Sequence, residues 1–274
     1  MPGMTEPLRP GPGASTGLAL VAELWYVEAP DLTDPALLAA LRKVRPGSEA
    51  QESSLSVPHP LADPELPPLV TVVLPGSPPG RDGKTLPDVS QTWDWAEAED
   101  AVAPCVASIL VTEVLADRRT AQERVSSLGE VVAVLVARTR PRALHWARSQ
   151  RVSDPAAFGA GDLDGVINVR MFSDARADDA LAMDTLGLHV FELPDIQCHF
   201  RDRDPGEIAE LLFSTAVYLF ETGDVIEDGN TISGTDGEGR YVCRREASLL
   251  DPARIVVDVD LGEPFAAGRR DQPA

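Results

Sequence analysis

Cys198-His199 is the one adjacent cysteine–histidine pair in the chain. Both types ligate a borderline-soft ion such as zinc, but neighbours in an extended segment point to opposite faces, so the pair cannot readily close on one metal. The four histidines, His59, His145, His189 and His199, stand in no H-x-x-x-H or H-E-x-x-H arrangement. The expected state is a core cysteine beside a surface or edge histidine, with no metal. The acidic segment 223–230 (GDVIEDGN) has Val225 and Ile226 where a calcium loop needs oxygen ligands, so a hairpin turn is expected there. Segment 234–239 is glycine-containing, but it matches no phosphate-cradling motif and its acids repel phosphate. Ser214, Ser248 and Cys105 sit in no nucleophile elbow. Carboxylates are so abundant that no pair stands out as a general acid and base. The residues therefore name no catalytic group, no metal and no cofactor, and the expectation leans away from an enzyme.

That abundance is itself informative. Forty-four acidic side chains against 24 basic ones leave a formal charge of −20 in 274 residues. Such a chain repels phosphate backbones, which argues against nucleic-acid binding, and its field speeds encounter with a basic protein. The apolar fraction of 43% is that of a globular protein. The three cysteines, Cys105, Cys198 and Cys243, form no C-x-x-C pair and no disulfide framework, so reduced thiols in the cytoplasm are expected. The first residues lack the basic start and apolar run of a signal peptide, and no apolar stretch reaches the roughly 18 residues that span a membrane.

The elements that must position any site alternate between strand and helix. Residues 18–27 (LALVAELWYV) are rich in β-formers. Asp34-Pro35 opens a helix carrying Leu37, Leu38, Leu41 and Val44 inward. Strands are expected at 51–57 and 69–74, with a proline-rich loop between them, and 76–90 reads as a second loop. Residues 93–102 read as an acidic helix, 108–114 as a strand, and 118–138 as the clearest helix, with Ala121, Val125, Leu128, Val132 and Leu135 on one stripe. A short strand at 143–147, a second Asp-Pro helix start at 154–155, and strands at 165–172, 185–191 and 196–200 follow. Asp204-Pro205-Gly206-Glu207 opens a helix that Gly223 ends. Strands at 241–243 and 255–259 complete the chain. The order β-α-β-β-α, then β-α-β-β-β-α-β, reads as an α+β fold of two ferredoxin-like β-α-β-β-α halves, their sheets covered by helices. The halves are placed at 17–104 and 105–265, between flexible tails at 1–16 and 266–274.

Particular segments also resemble a known family. Met183-Asp184-Thr185-Leu186-Gly187-Leu188-His189-Val190-Phe191, with Leu193-Pro194-Asp195-Ile196, is similar to the start of the block that marks a bacterial family catalogued as domain of unknown function 4261. Val217-Tyr218-Leu219-Phe220, Gly223-Asp224-Val225-Ile226 and Asp228-Gly229-Asn230-Thr231-Ile232 continue it, so the likeness is most specific over 183–232. Gln91-Thr92-Trp93-Asp94-Trp95 and Ala143-Leu144-His145-Trp146 look like that family's N-terminal part. The resemblance implies no activity and supplies no catalytic residue; a loose association of such families with toxin–immunity neighbourhoods favours binding. Three readings follow, one of them a purely structural accessory domain. The first is a non-enzymatic protein-binding module, immunity-like or regulatory, with a basic partner. The second is an enzyme or small-ligand protein with a dispersed site built from Trp146, His145, His189 and Asp184. Trp93 and Trp95 are further binding candidates, as a groove lining or as staples of the helix at 93–102 to the sheet. In that second reading a pocket joins the four side chains. His189, sharing a strand face with Gly187 and Phe191, otherwise reads as a structural histidine.

Overall fold

The structure is a computed structural model that describes residues 18–60, 68–77, 89–116, 119–161, 163, 165–174, 179–234, 237 and 239–267. The expected N-terminal tail, most of the two loops at 58–68 and 76–90, and 268–274 of the expected C-terminal tail lie outside the described residues.

Strands β1 (Val21–Tyr26), β2 (Glu49–Gln51), β3 (Ser54–His59), β4 (Leu69–Gly76), β5 (Ala107–Val114), β6 (Ala143–Trp146) and β7 (Arg151–Ser153) form one antiparallel sheet in the order β2-β3-β4-β5-β1-β6-β7. Helices α1 (Pro35–Val44) and α3 (Ala121–Thr139) pack against each other over this sheet, while α2 (Ala98–Val102) sits near β6. Strands β8 (Asn168–Ser173), β9 (Leu181–Leu186), β10 (Asp195–Phe200), β11 (Thr231–Ser233), β12 (Arg240–Ala247) and β13 (Ile255–Asp260) form the second sheet, ordered β11-β12-β13-β10-β9-β8. Its one parallel pair is β10 with β13, and α4 (Pro205–Thr222), which leads away from β10, lies over β8, β9 and β10. The architecture is thus mixed α+β, with sheets of seven and six strands. Strand β5, beyond residue 104, pairs with β1 from before it, so the first sheet draws on both sides of the expected division.

The helices form where their caps and stripes direct. Asp34 and Asp204 each accept a bond from the backbone two residues on, at Ala36 N (2.8 Å) and Gly206 N (2.6 Å), with proline next to the cap. Thr120 and Glu123 form a reciprocal capping box at the start of α3. The stripes then face a single core: Leu128, Val132 and Leu135 of α3 meet Leu24 and Val111, and the same cluster continues through Leu212 and Leu219 of α4 to Cys198 and Phe200. Behind the first sheet a smaller cluster gathers Trp25, Val102, Cys105, Ala143 and Val152, with Trp95 against it.

Four expectations are corrected. The helix expected over 93–102 is helical only at 98–102, because Thr92 donates to Val152 O and Arg151 pairs with Asp94, tying the preceding residues to β7. The Asp154-Pro155 start yields a single 3-10 turn at 155–157 before a glycine-rich stretch. The strand expected over 51–57 is broken into a hairpin of β2 and β3, turning at Glu52 with φ +48°. The strand expected over 185–191 ends at Leu186. Gly187 takes φ +136°, and a Cβ there would meet Val166 O at 2.1 Å. Residues 188–191 then wind as a 3-10 turn whose first N–H donates to Asp195. At the other end of the chain, Ala266 bridges Phe200 and Ala267 is buried, so the expected tail begins inside the fold.

Candidate functional site

The face of the second sheet opposite α4 carries a row of polar side chains across neighbouring strands. The register sets Arg170 of β8 beside Asp184 of β9, Asp184 beside Gln197 of β10, Gln197 beside Asp258 of β13, and Asp258 beside Arg244 of β12. Period-two alternation puts them there: Met183, Cys198 and Val257, the adjacent positions, belong to the core. Arg170 donates from Nε to Asp184 Oδ1 (2.9 Å) and from Nη2 to Oδ2 (2.6 Å). Gln197 donates to Asp258 Oδ1 (2.8 Å) and accepts from Leu249 N (2.7 Å).

Arg254 closes the row from above. Its Nη2 donates to Asp184 Oδ2 (2.7 Å) and its Nε to Asp195 Oδ2 (2.8 Å). The same guanidinium reaches Thr185 O and Pro252 O, which latches the 248–254 loop onto β9 and β10. Burial alone would lower its pKa; the Asp195 and Asp184 carboxylates outweigh that and raise it. Asp184 and Asp195 are fully buried, and bidentate charge-assisted bonds offset part of the cost of removing them from water. Two arginines and two aspartates leave the cluster neutral. Each carboxylate is bonded to at least one guanidinium, the arrangement of a structural clamp.

Between this clamp and the first sheet lies a cleft of about 550 Å3, lined by Gln91, Gln150, Arg170, Phe172 and the loop residues Leu249 to Pro252. Arg170 lies over the Phe172 ring at 5.4 Å, and its Nη1 has only a long contact, 3.5 Å, to Gln150 Oε1. Gln91 both donates to and accepts from the backbone of Met171, at 3.1 and 2.9 Å, so its amide serves as one more rung on the edge strand β8.

The six residues singled out from sequence occupy separate places. Asp184 is in the row. His189 is partly exposed on the 3-10 turn, its Nδ1 3.8 Å from Asp195 Oδ2, so the clamp links it to Asp184. His145 and Trp146 point to opposite faces of β6. His145 lies behind the first sheet, 3.5 Å from Glu23 Oε2 and stacked at 5.0 Å on Trp25. Trp146 is in the main core against Phe158. Trp95 packs behind the first sheet, whereas Trp93 is exposed. None of the six lines the 550 Å3 cleft. Arg170, Gln197 and Arg254 were not singled out. The signal was Asp184 and Asp195 inside apolar strands, each of which demands a partner that the sequence does not identify. Cys198 is in the core and His199, on the other face, lies 3.1 Å from Asp174, as alternation requires. Among the described residues no helix is long and apolar enough to cross a membrane.

Residues 184–260 match the model of a family described as Domain of unknown function (DUF4261). The match begins within β9 and ends with β13, so it includes Asp184, Asp195, Gln197, Arg244, Arg254 and Asp258 but not Arg170. It extends beyond the expected block at 183–232, and segments 91–95 and 143–146 lie outside it. No curated protein and no solved structure matches the chain.

Proposed function

We propose that this chain, with a domain of unknown function at residues 184–260, is a non-enzymatic protein-binding module that receives a basic partner on the outer face of α4. One observation carries the reading. Within the family-matched stretch, α4 turns Glu207, Glu210, Ser214, Tyr218 and Glu221 outward, an acidic stripe at helical spacing around a tyrosine that is 49% exposed. Tyrosine offers a large contact area at small entropic cost, and a carboxylate surround steers a cationic surface towards it. The chain's charge of −20 adds a long-range attraction of the same sign. We place the module in the cytoplasm, where its three buried free thiols stay reduced. A ferredoxin-like reading of the first sheet is supported by the order β4-β5-β1-β6 with α1 and α3 as its two helices.

The test is affinity capture from the native lysate at low and raised salt, with the wild type and a Tyr218→Ala, Glu210→Lys variant side by side. A basic protein held by the wild type at low salt, released at raised salt and lost from the variant supports the reading. Capture that is indifferent to the variant removes α4 from it, and no partner at either salt removes the module itself. A second reading, a small-ligand site in the cleft beside Arg170, is favoured by the cleft's volume of about 550 Å3, which lies within the range of ligand sites.

A further inference from the structure

A guanidinium carries five N–H donors, and the fold engages only part of those on Arg170. Its Nε–H goes to Asp184 Oδ1 (2.9 Å), and the two on Nη2 go to Asp184 Oδ2 (2.6 Å) and Asp251 O (2.8 Å). Nη1 carries two more. Among the described residues their one acceptor is Gln150 Oε1 at 3.5 Å, the outer limit of a hydrogen bond. At least one N–H of a charged side chain that is 5% exposed thus has no acceptor among the described residues. Gln150 and Asp251, which both meet the guanidinium, also line the 550 Å3 cleft, so the Nη1 edge opens into it. A donor removed from bulk water is costly to leave unmade, and one that borders a cleft points to an acceptor that enters the cleft.

The rest of the cleft is largely apolar, and its wall is fixed. Phe172, Leu249, Leu250 and Pro252 line it, and Leu249 is 40% exposed. Leu249 N donates to Gln197 Oε1 (2.7 Å), Asp251 O accepts from Arg170, and Pro252 O accepts from Arg254 (2.8 Å). These bonds hold the wall in place before any ligand arrives. The charge balance then selects among acceptors. Arg170 and Arg254 are matched by Asp184 and Asp195, and the exposed Asp251 adds a carboxylate beside the cleft. An anion would leave water with no surplus positive charge to meet it, whereas a carbonyl oxygen needs only the free N–H.

We propose that this cleft binds an uncharged small molecule, an apolar body that carries a carbonyl oxygen. The carbonyl accepts from Arg170 Nη1, and the body lies against Phe172, Leu249 and Leu250. The inference rests on the small-ligand reading of the cleft and names the ligand class.

The experiment is methyl NMR of the full chain, following the Leu249 and Leu250 signals. One titration uses N,N-dimethylbenzamide, which is neutral and accepts hydrogen bonds but cannot donate them; the other uses benzoate, its anionic counterpart. The expected result is a saturable shift of both leucines with the amide, and a response to benzoate about tenfold weaker. Gln150 is exposed, so its replacement leaves the core intact. Gln150→Glu places a carboxylate beside Nη1 to take up the free N–H, and should weaken the amide about tenfold, roughly the effect of one hydrogen bond. Gln150→Ala leaves Nη1 open and should retain the amide. Benzoate that saturates at an equal or lower concentration overturns the ligand class, and equal effects of the two Gln150 variants overturn the Arg170 donor. Either result leaves a small-ligand cleft standing. No saturable shift with either probe overturns that reading as well.

Discussion

Arg170 and Asp184 face each other across β8 and β9 and are joined at two points, at 2.9 and 2.6 Å, with both side chains almost wholly removed from solvent. Only one of the two lies in the family-matched stretch, so this pair joins the matched domain to the strand that precedes it. Arg254 then adds Asp195 to the same cluster and brings the 248–254 loop down onto the sheet.

Removal of Arg254 should therefore be costly. Arg254→Met leaves Asp195 without its cation and Asp184 with one instead of two, both fully buried. The expected loss is about 3–5 kcal/mol, read from urea unfolding midpoints, the range for breaking a buried ion pair by removing one partner. The double variant Arg254→Met, Asp195→Asn should recover part of the loss. Equal stability of the single and double variants would show that the carboxylate at 195 is not what Arg254 neutralises.

Stability should fall on the acid side through His59. Its pKa is about 4 in the fold against 6.5 for an ordinary histidine. The unfolded chain thus takes up the proton first, and stability is lost as pH falls from 6.5 through about 4. Discounted for partial screening of the charge, the loss is about 2 kcal/mol. His59→Gln should flatten the curve of unfolding free energy against pH over this window. Carboxylates titrate there too, so the quantity to compare is wild type minus variant at each pH. A difference that does not change with pH would contradict the assignment.

Gly165 should not tolerate alanine. Its φ is +99°, and a Cβ would fall 2.2 Å from Trp146 Nε1 in the core. Both the backbone conformation and the contact oppose the methyl group, and the expected cost is about 2–4 kcal/mol. Tryptophan fluorescence during urea unfolding reads it. Gly229→Ala is the control, since Gly229 has φ +83° but open space around it, so it isolates the backbone contribution.

The three thiols should be unreactive in the native chain. Burial raises the pKa of each; Cys243 is pushed up to about 11, with the Asp258 charge adding to the effect, and Cys198 is raised well above the ordinary thiol range, with Asp258 and Asp260 near. A disulfide exchange reagent at pH 8 should react about a hundredfold more slowly with the folded chain than with the same chain in urea, where all three become available. A fast single-thiol reaction in the native state would identify Cys105, the least deeply held of the three.

Much of the local structure could be read without coordinates, because its causes lie within a few residues. Asp-Pro starts and apolar stripes located α1 and α4, and an apolar stripe alone located α3. Alternation alone separated Cys198 from His199. What alternation could not show was where a strand stops. Residues 185–191 read as one continuous strand, and it is the approach of Gly187 to Val166 O, with Asp195 capping Leu188, that turns His189 out of β9.

The partners of Asp184 and Asp195 were decided at a distance. Arg170 meets Asp184 from 14 residues away, and Arg254 meets Asp195 from 59 and Asp184 from 70. Strand β5 joins β1 across the division the sequence suggested, and β13 slots in parallel beside β10 after a helix and a hairpin. The sequence by itself determined which segments are strands and helices, which faces are apolar and that the chain is strongly acidic, since each depends on the order or number of side chains along a short stretch. Only the tertiary structure decided which strands are neighbours, which arginine neutralises which aspartate, and that His59 is brought between Arg45 and Arg119. Pairing across a sheet and low-dielectric charge contacts depend on proximity in space, which no local pattern encodes.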